Sequence, residues 1–181
     1  CDFIFVWFDG EESVLPGWND AEHSHPAKMV DHTYGSQNFV DSLTDCQAYK
    51  KAYKCLPESL GGRPIIATVI IDMIGDPDLK ITKEMFSSTK LRNILSASAT
   101  ALGYKGILGD YKEIADDHIP FINAGISSLN IIDFNNLTHW HKPTDTPDKI
   151  SSQNIEIVGK ITTYILLNIS SSPQVFAGKA D

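Results

Sequence analysis

The stretch Phe3-Ile4-Phe5-Val6-Trp7-Phe8-Asp9-Gly10-Glu11-Glu12 decides the fold. Its apolar run lacks the alternation of a half-exposed strand, so it predicts a strand buried on both faces, in the middle of a sheet. The chain opens on Cys1 with neither an initiator Met nor the basic and apolar regions of a signal peptide. The strand therefore reads as internal, and further sequence is expected upstream.

Two more strands follow the same logic. Pro64-Ile65-Ile66-Ala67-Thr68-Val69-Ile70-Ile71-Asp72 is apolar and β-branched and ends in a carboxylate before the turn Gly75-Asp76-Pro77. Ser128-Leu129-Asn130-Ile131-Ile132-Asp133-Phe134 is the third. Between and after them the period changes. Leu91, Ile94, Leu95, Ser98 and Leu102 recur at helical spacing, with Gly103 placed as a C-cap. Residues 117–125 predict a short helix ending at Gly125, and a last helix runs from about Ser151 to Asn168 with Ile155, Val158, Ile161 or Thr162, Ile165 and Ile169 on one face. Residues 36–55 carry weak helical patterning, broken by Pro57 and Gly61-Gly62, and residues 9–33 form a long aperiodic loop. Strands alternating with helices predict an α/β fold, a largely parallel mixed sheet flanked by helices.

At 181 residues the chain fits one domain with a core of its own. No apolar run approaches the roughly 20 residues that span a bilayer. The net charge of -8, with scattered Lys and Arg, excludes the basic stripe of a nucleic-acid-binding surface. Three cysteines form no CxxC motif. Cys46 and Cys55, nine apart, could close a small loop or remain two free thiols.

In α/β sheets, ligands bind outside the carboxyl ends of strands, so the terminating residues matter most. Here they are Glu11 and Glu12, Asp72, and the loop holding His139-Trp140-His141. Carboxylates and imidazoles without nearby thiolates suit an open catalytic zinc rather than a structural one. Adjacent side chains point different ways, which would let one glutamate bind metal while the other serves as general base. Read singly, each of these residues is an ordinary surface or turn residue. Trp18 and Trp140 either cap the core or line a substrate pocket. Asp145 and Thr146 either brace the loop behind His141 or form a turn with Pro147. His118, near a helix start, reads as structural.

Taken together, Phe8-Asp9-Gly10-Glu11-Glu12, Tyr34-Gly35-Ser36, Asp72-Met73-Ile74-Gly75, Asp116-Asp117-His118-Ile119-Pro120-Phe121 and the segment from His141 to Ile150 resemble the M28 family of zinc peptidases over residues 3 to about 168. The resemblance implies a zinc-exopeptidase-like three-layer sandwich, truncated at its N-terminus, over residues 1–170, with a polar tail at 171–181. It implies Glu11 as general base, Glu12 and His141 as ligands of one zinc, and Asp72 as ligand of a second, with His139 not a ligand. The family's His-x-Asp motif is absent. His23, His25 and His32 follow the catalytic pair instead of preceding it, so the remaining ligands are expected upstream. The expected activity is an aminopeptidase acting on peptides with a free N-terminus, and the resemblance favours an exported, periplasmic or extracellular, location.

The glutaminyl cyclases of the same superfamily are also similar, at Asp-Gly-Glu-Glu, Trp18, the segment 116–121 and Trp140-His141. They imply one zinc held by Glu12 and His141, with Glu11, Asp72 and Asp116 in a proton-transfer network. A metal-free interaction domain is the third expectation.

Overall fold

A computed structural model describes residues 2–12, 32–46, 53–135 and 137–176. The long loop, with Trp18, His23 and His25, lies almost wholly outside these residues.

The best-formed ladder pairs β3 (Thr68–Asp72) with β6 (Ser128–Ile132), parallel and in register from Thr68↔Ser128 to Asp72↔Ile132. A second parallel pair joins β4 (Ile81–Glu84) to β5 (Leu108–Lys112). β4 runs beside β6 in the opposite sense, because Ser88 faces Ser128 while Thr82 faces Phe134. Side chains bind them: Asn130 N–H donates to Ser87 Oγ at 2.9 Å and Phe134 N–H to Thr82 Oγ1 at 3.0 Å. The sheet is mixed, as expected.

β6 is buried along its whole length, so both of its faces need cover. On one face Leu129 and Ile131 pack with α2 (Thr89–Ala101) and α4 (Ser152–Ser171), whose Leu91, Leu95, Val158, Ile161, Ile165 and Ile169 fill the main core. Each such side chain contributes about 1.5–3 kcal/mol through burial. On the other face α1 (Tyr34–Asp41) and α3 (His118–Asn123) enclose a smaller core of Leu43, Leu56, Phe121 and Ile126. Helices on both faces of the sheet make a three-layer sandwich.

Local chemistry sets the helix ends. Ser151 caps α4 by accepting from Asn154 N–H. α2 and α3 end alike. Gly103 (φ 81°) and Gly125 (φ 80°) take the left-handed position, Tyr104 N–H reaches back to Ala99 C=O, and Ile126 N–H to Phe121 C=O. This is the Schellman arrangement, which favours glycine. After α4, α5 (Pro173–Phe176) buries Phe176 in the main core, so the segment read as a polar tail begins with an apolar anchor.

Four expectations need correction. Residues 3–7 form no strand. Phe5 is 73% and Trp7 86% exposed, and no ladder partners them among the described residues. An apolar run reports a need for cover, and no described element supplies it. Phe8 is anchored, its ring 5.9 Å from Phe39 and 6.0 Å from Phe121. The helix expected over 36–55 stops at Asp41, where the short hairpin of β1 (Thr44–Asp45) and β2 (Lys54–Cys55) begins, closed by a Cys46–Cys55 disulfide. The strand expected from Pro64 begins at Thr68, because Ile65 N–H bonds back to Lys54 C=O. Ile155 is 42% exposed instead of buried, because α4 meets the main core through Ile157 and Val158.

Candidate active site

The ends of β3 and β6 open on a cleft of about 660 Å³ whose lining includes Glu11, Glu12, Asp72, Asp116, Trp140 and His141. All five expected metal and proton-transfer residues therefore meet, although they come from four separate segments of chain.

The segment carrying Glu11 and Glu12 is clamped onto the start of α1. Thr33 N–H donates to Glu11 C=O at 3.0 Å and Tyr34 N–H to Gly10 C=O at 2.9 Å. Gly10 turns at φ 59° just before the pair. Asp72 closes β3, and Met73 follows it at φ 50°, a conformation costly for a side chain with a Cβ. His141 itself sits at φ 55°. Left-handed backbone thus adjoins or coincides with three of the cleft's functional groups, and at Met73 and His141, which carry a Cβ, it is a form of strain that concentrates at functional sites.

Asp116 arrives on the loop after β5 and is nearly fully buried. Asn130 Nδ2 donates to its Oδ2 and Asp117 N–H to its Oδ1, both at 2.6 Å. Asp117 in turn accepts from Ser36 Oγ at 2.6 Å, which explains the Tyr34-Gly35-Ser36 motif. Asn130 and Ser36 were not among the expected site residues. The signal for Asn130 was an amide inside an otherwise apolar strand.

The crowding of carboxylates has electrostatic consequences. Burial, then the charges of Asp116, Asp72, Glu12 and Asp117, push Glu11 up to about 7. Burial and Asp116 raise Asp72 to about 6 against the opposing hydrogen bond from Met73 N–H. Burial and Asp116 also raise Asp117, partly offset by the Ser36 hydroxyl. Such a cluster favours a cation.

Glu12 Oε2 and His141 Nε2 stand 3.4 Å apart. Two donors each about 2.0–2.1 Å from a shared tetrahedral ion would be separated by about 3.3 Å, so this pair fits two corners of a zinc site. No group of three candidate ligands surrounds a single point among the described residues. His139 is turned to Thr144 Oγ1 at 3.1 Å, and His118 to Glu84 at 2.9 Å. Trp140 stacks on His141 with ring centroids 3.9 Å apart, placing it in the cleft instead of the core. Asp145 N–H donates to Lys142 C=O and Thr146 Oγ1 to Asp148 Oδ1, and Asp145 also lines the cleft.

A three-layer α/β sandwich with acids and an imidazole gathered at the ends of its central strands is the architecture of the zinc exopeptidases. The chain belongs to Peptidase family M28, which it matches over residues 2–166. It is 26% identical over 172 residues to the glutaminyl-peptide cyclotransferase of Dictyostelium discoideum, covering 87% of this chain and 44% of that protein. The chain thus spans less than half the length of that relative. Among solved structures, an Acidobacteriales bacterium glutaminyl cyclase superposes with a TM-score of 0.68 at 25% identity, over 91% of this chain and 52% of that one. A leucine aminopeptidase precursor from Bacteroides thetaiotaomicron superposes with a TM-score of 0.70 at 21% identity, over 90% and 51%, and shares the fold.

Proposed function

We propose that the protein is a zinc-dependent glutaminyl-peptide cyclotransferase, with peptides bearing a free N-terminal glutamine as substrates. The reading carried by sequence alone gave hydrolysis first place. The curated relatives, cyclotransferases at 22–26% identity, favour cyclisation. The observation that carries the chemistry is Glu11, held near neutrality by burial and by Asp116 and Asp72, so that it can both take and return a proton close to pH 7.

Glu12 and His141 would hold the zinc, which when bound supplies Lewis acidity to the substrate's γ-carbonyl. Glu11 takes a proton from the substrate's neutral α-amine as that nitrogen attacks the γ-carbon. It returns that proton to the amide nitrogen, which departs as ammonia when the C–N bond breaks. Asp116, fixed by Asn130 and Asp117 N–H, stabilises the protonated form of Glu11. Trp140 offers the substrate an apolar wall beside His141.

Aminopeptidase action is the second reading, supported by the His141–Ile150 segment's resemblance to the peptidases. The Cys46–Cys55 disulfide supports an oxidising, exported location for either activity. The test uses full-length, zinc-loaded protein. Stoichiometric ammonia and pyroglutamyl product from a Gln-peptide, lost in Glu11→Gln, is the expected result. Release of free amino acids from aminoacyl chromogenic substrates without ammonia would replace cyclisation with hydrolysis.

A further inference from the structure

The loop carrying His141 has little regular structure of its own, yet the imidazole must be held against Glu12. The observed path to it begins in the sheet. Phe134, just past β6, is fixed at both backbone groups: its N–H donates to the buried Thr82 Oγ1 at 3.0 Å, and its C=O accepts from Lys112 Nζ at 2.6 Å. Those bonds tie it to β4 and β5. Its ring meets Trp140 nearly edge-on, centroids 5.5 Å apart at 77°. Trp140 then lies flat on His141, at 3.9 Å and 25°. His141 is held in the left-handed region, where a residue with a Cβ stays only when its surroundings compel it.

We propose that Phe134 is a positioning residue for the metal site: its ring, anchored to the sheet, sets the Trp140 indole, and the indole sets the His141 imidazole facing Glu12. The inference rests on the reading that His141 holds zinc. An edge-to-face contact is directional, so an aliphatic side chain of similar bulk would fill the space without orienting the indole. Groups that orient a metal-ligating histidine influence metal affinity about 10–100-fold.

The experiment compares Phe134→Tyr, Phe134→Leu and Phe134→Ala in the full-length protein, measuring zinc dissociation constants by chelator competition beside melting temperature. Phe134→Tyr, which keeps the ring, should match the parent. Phe134→Leu should weaken zinc binding about tenfold with little change in melting, and Phe134→Ala at least as much. Unchanged zinc affinity in Phe134→Leu and Phe134→Ala, with only KM altered, would make Phe134 a substrate wall and overturn the proposal. A metal-free readout separates this failure from failure of the zinc reading. In a background where every tryptophan but Trp140, Trp7 and Trp18 included, is replaced by Phe, acrylamide quenching of Trp140 should rise several-fold with Phe134→Ala and stay at the parent level with Phe134→Tyr. Equal quenching in all variants overturns the proposal even if the parent binds no zinc.

Discussion

Gly35 packs against the backbone of Asp9 so closely that a Cβ built on it would lie 2.2 Å from the Asp9 carbonyl oxygen. The obstacle is main chain, which cannot rotate away, so the first turn of α1 fixes where residues 9–12 run and hence where Glu11 and Glu12 point. Gly35→Ala should cost about 1–3 kcal/mol as overpacking and lower activity further by displacing the pair. Gly106→Ala is the control, since nothing lies within 4 Å of its Cβ position. Thermal melts of the two variants check this, and equal melting temperatures would remove the steric argument.

Glu84 and His118 form a fully buried pair at 2.9 Å that ties β4 to α3. Burial pushes the Glu84 carboxyl up, but hydrogen bonds from His118, Phe86 N–H and Ser87 outweigh it and leave it below its ordinary value. A depressed carboxylate contributes stability that is present above its unfolded value, 4.5, and lost as pH falls through the folded one. Glu84→Ala should therefore cost about 3–5 kcal/mol near neutrality and flatten the acid limb of the stability profile below pH 4.5. Chemical denaturation from pH 3 to 7 reads both, and a parallel acid limb in the variant would contradict the assignment.

The elements that carry their own period were legible: α2, α3, α4 and β6 stand close to where residue spacing put them, with Gly103 and Gly125 at their stops. What failed to show depended on partners distant in sequence. β5, Leu108–Lys112, interleaves polar residues because it is only partly covered, while β4, Ile81–Glu84, buries Thr82 and Glu84 as hydrogen-bonding groups, so neither has the apolar run that marked β6. Residues 3–7 carried the run without the cover. In the site, Glu11, Glu12, Asp72 and His141 announced themselves by ending strands or opening loops. Ser36, Asn130 and Phe134 act only through Asp117, Asp116 and Trp140, contacts that exist only once α1, β6 and the His141 loop are assembled.

Gly159 lies in the interior of α4, with open space where a Cβ would stand. An alanine there restricts the unfolded chain and meets nothing in the folded one. Gly159→Ala should stabilise the protein by about 0.5–1 kcal/mol. A melting temperature unchanged or lowered would show that this face of α4 is covered in the full-length protein.

The Cys46–Cys55 bond closes a loop with a sequence separation of 9, and both residues are buried beside Leu43 and Leu56. Loop closure of this size should contribute about 2–3 kcal/mol. Cys46→Ala/Cys55→Ala should lose that amount, and reductant should lower the parent's melting temperature while leaving the variant's unchanged. Reductant sensitivity that persists in the double variant would place the responsible thiol elsewhere.

Glu11 and Asp72 make the metal-free protein respond to pH in the opposite direction from Glu84. Each has a folded value, about 7 and about 6, above its ordinary one, 4.5 and 3.8. Between those limits the folded state binds more protons than the unfolded state, so stability is greatest at low pH and is lost as pH rises through the folded values. The metal-free melting temperature should thus fall between pH 5 and pH 8, with Glu11→Gln/Asp72→Asn removing most of that slope. Zinc at 100 times its dissociation constant should add about 2.7 kcal/mol and reverse the trend, because the cation favours the ionised carboxylates that otherwise repel one another. A slope that survives in the double variant would mean that the cleft carboxylates are not its source, and that their crowding is relieved without a metal.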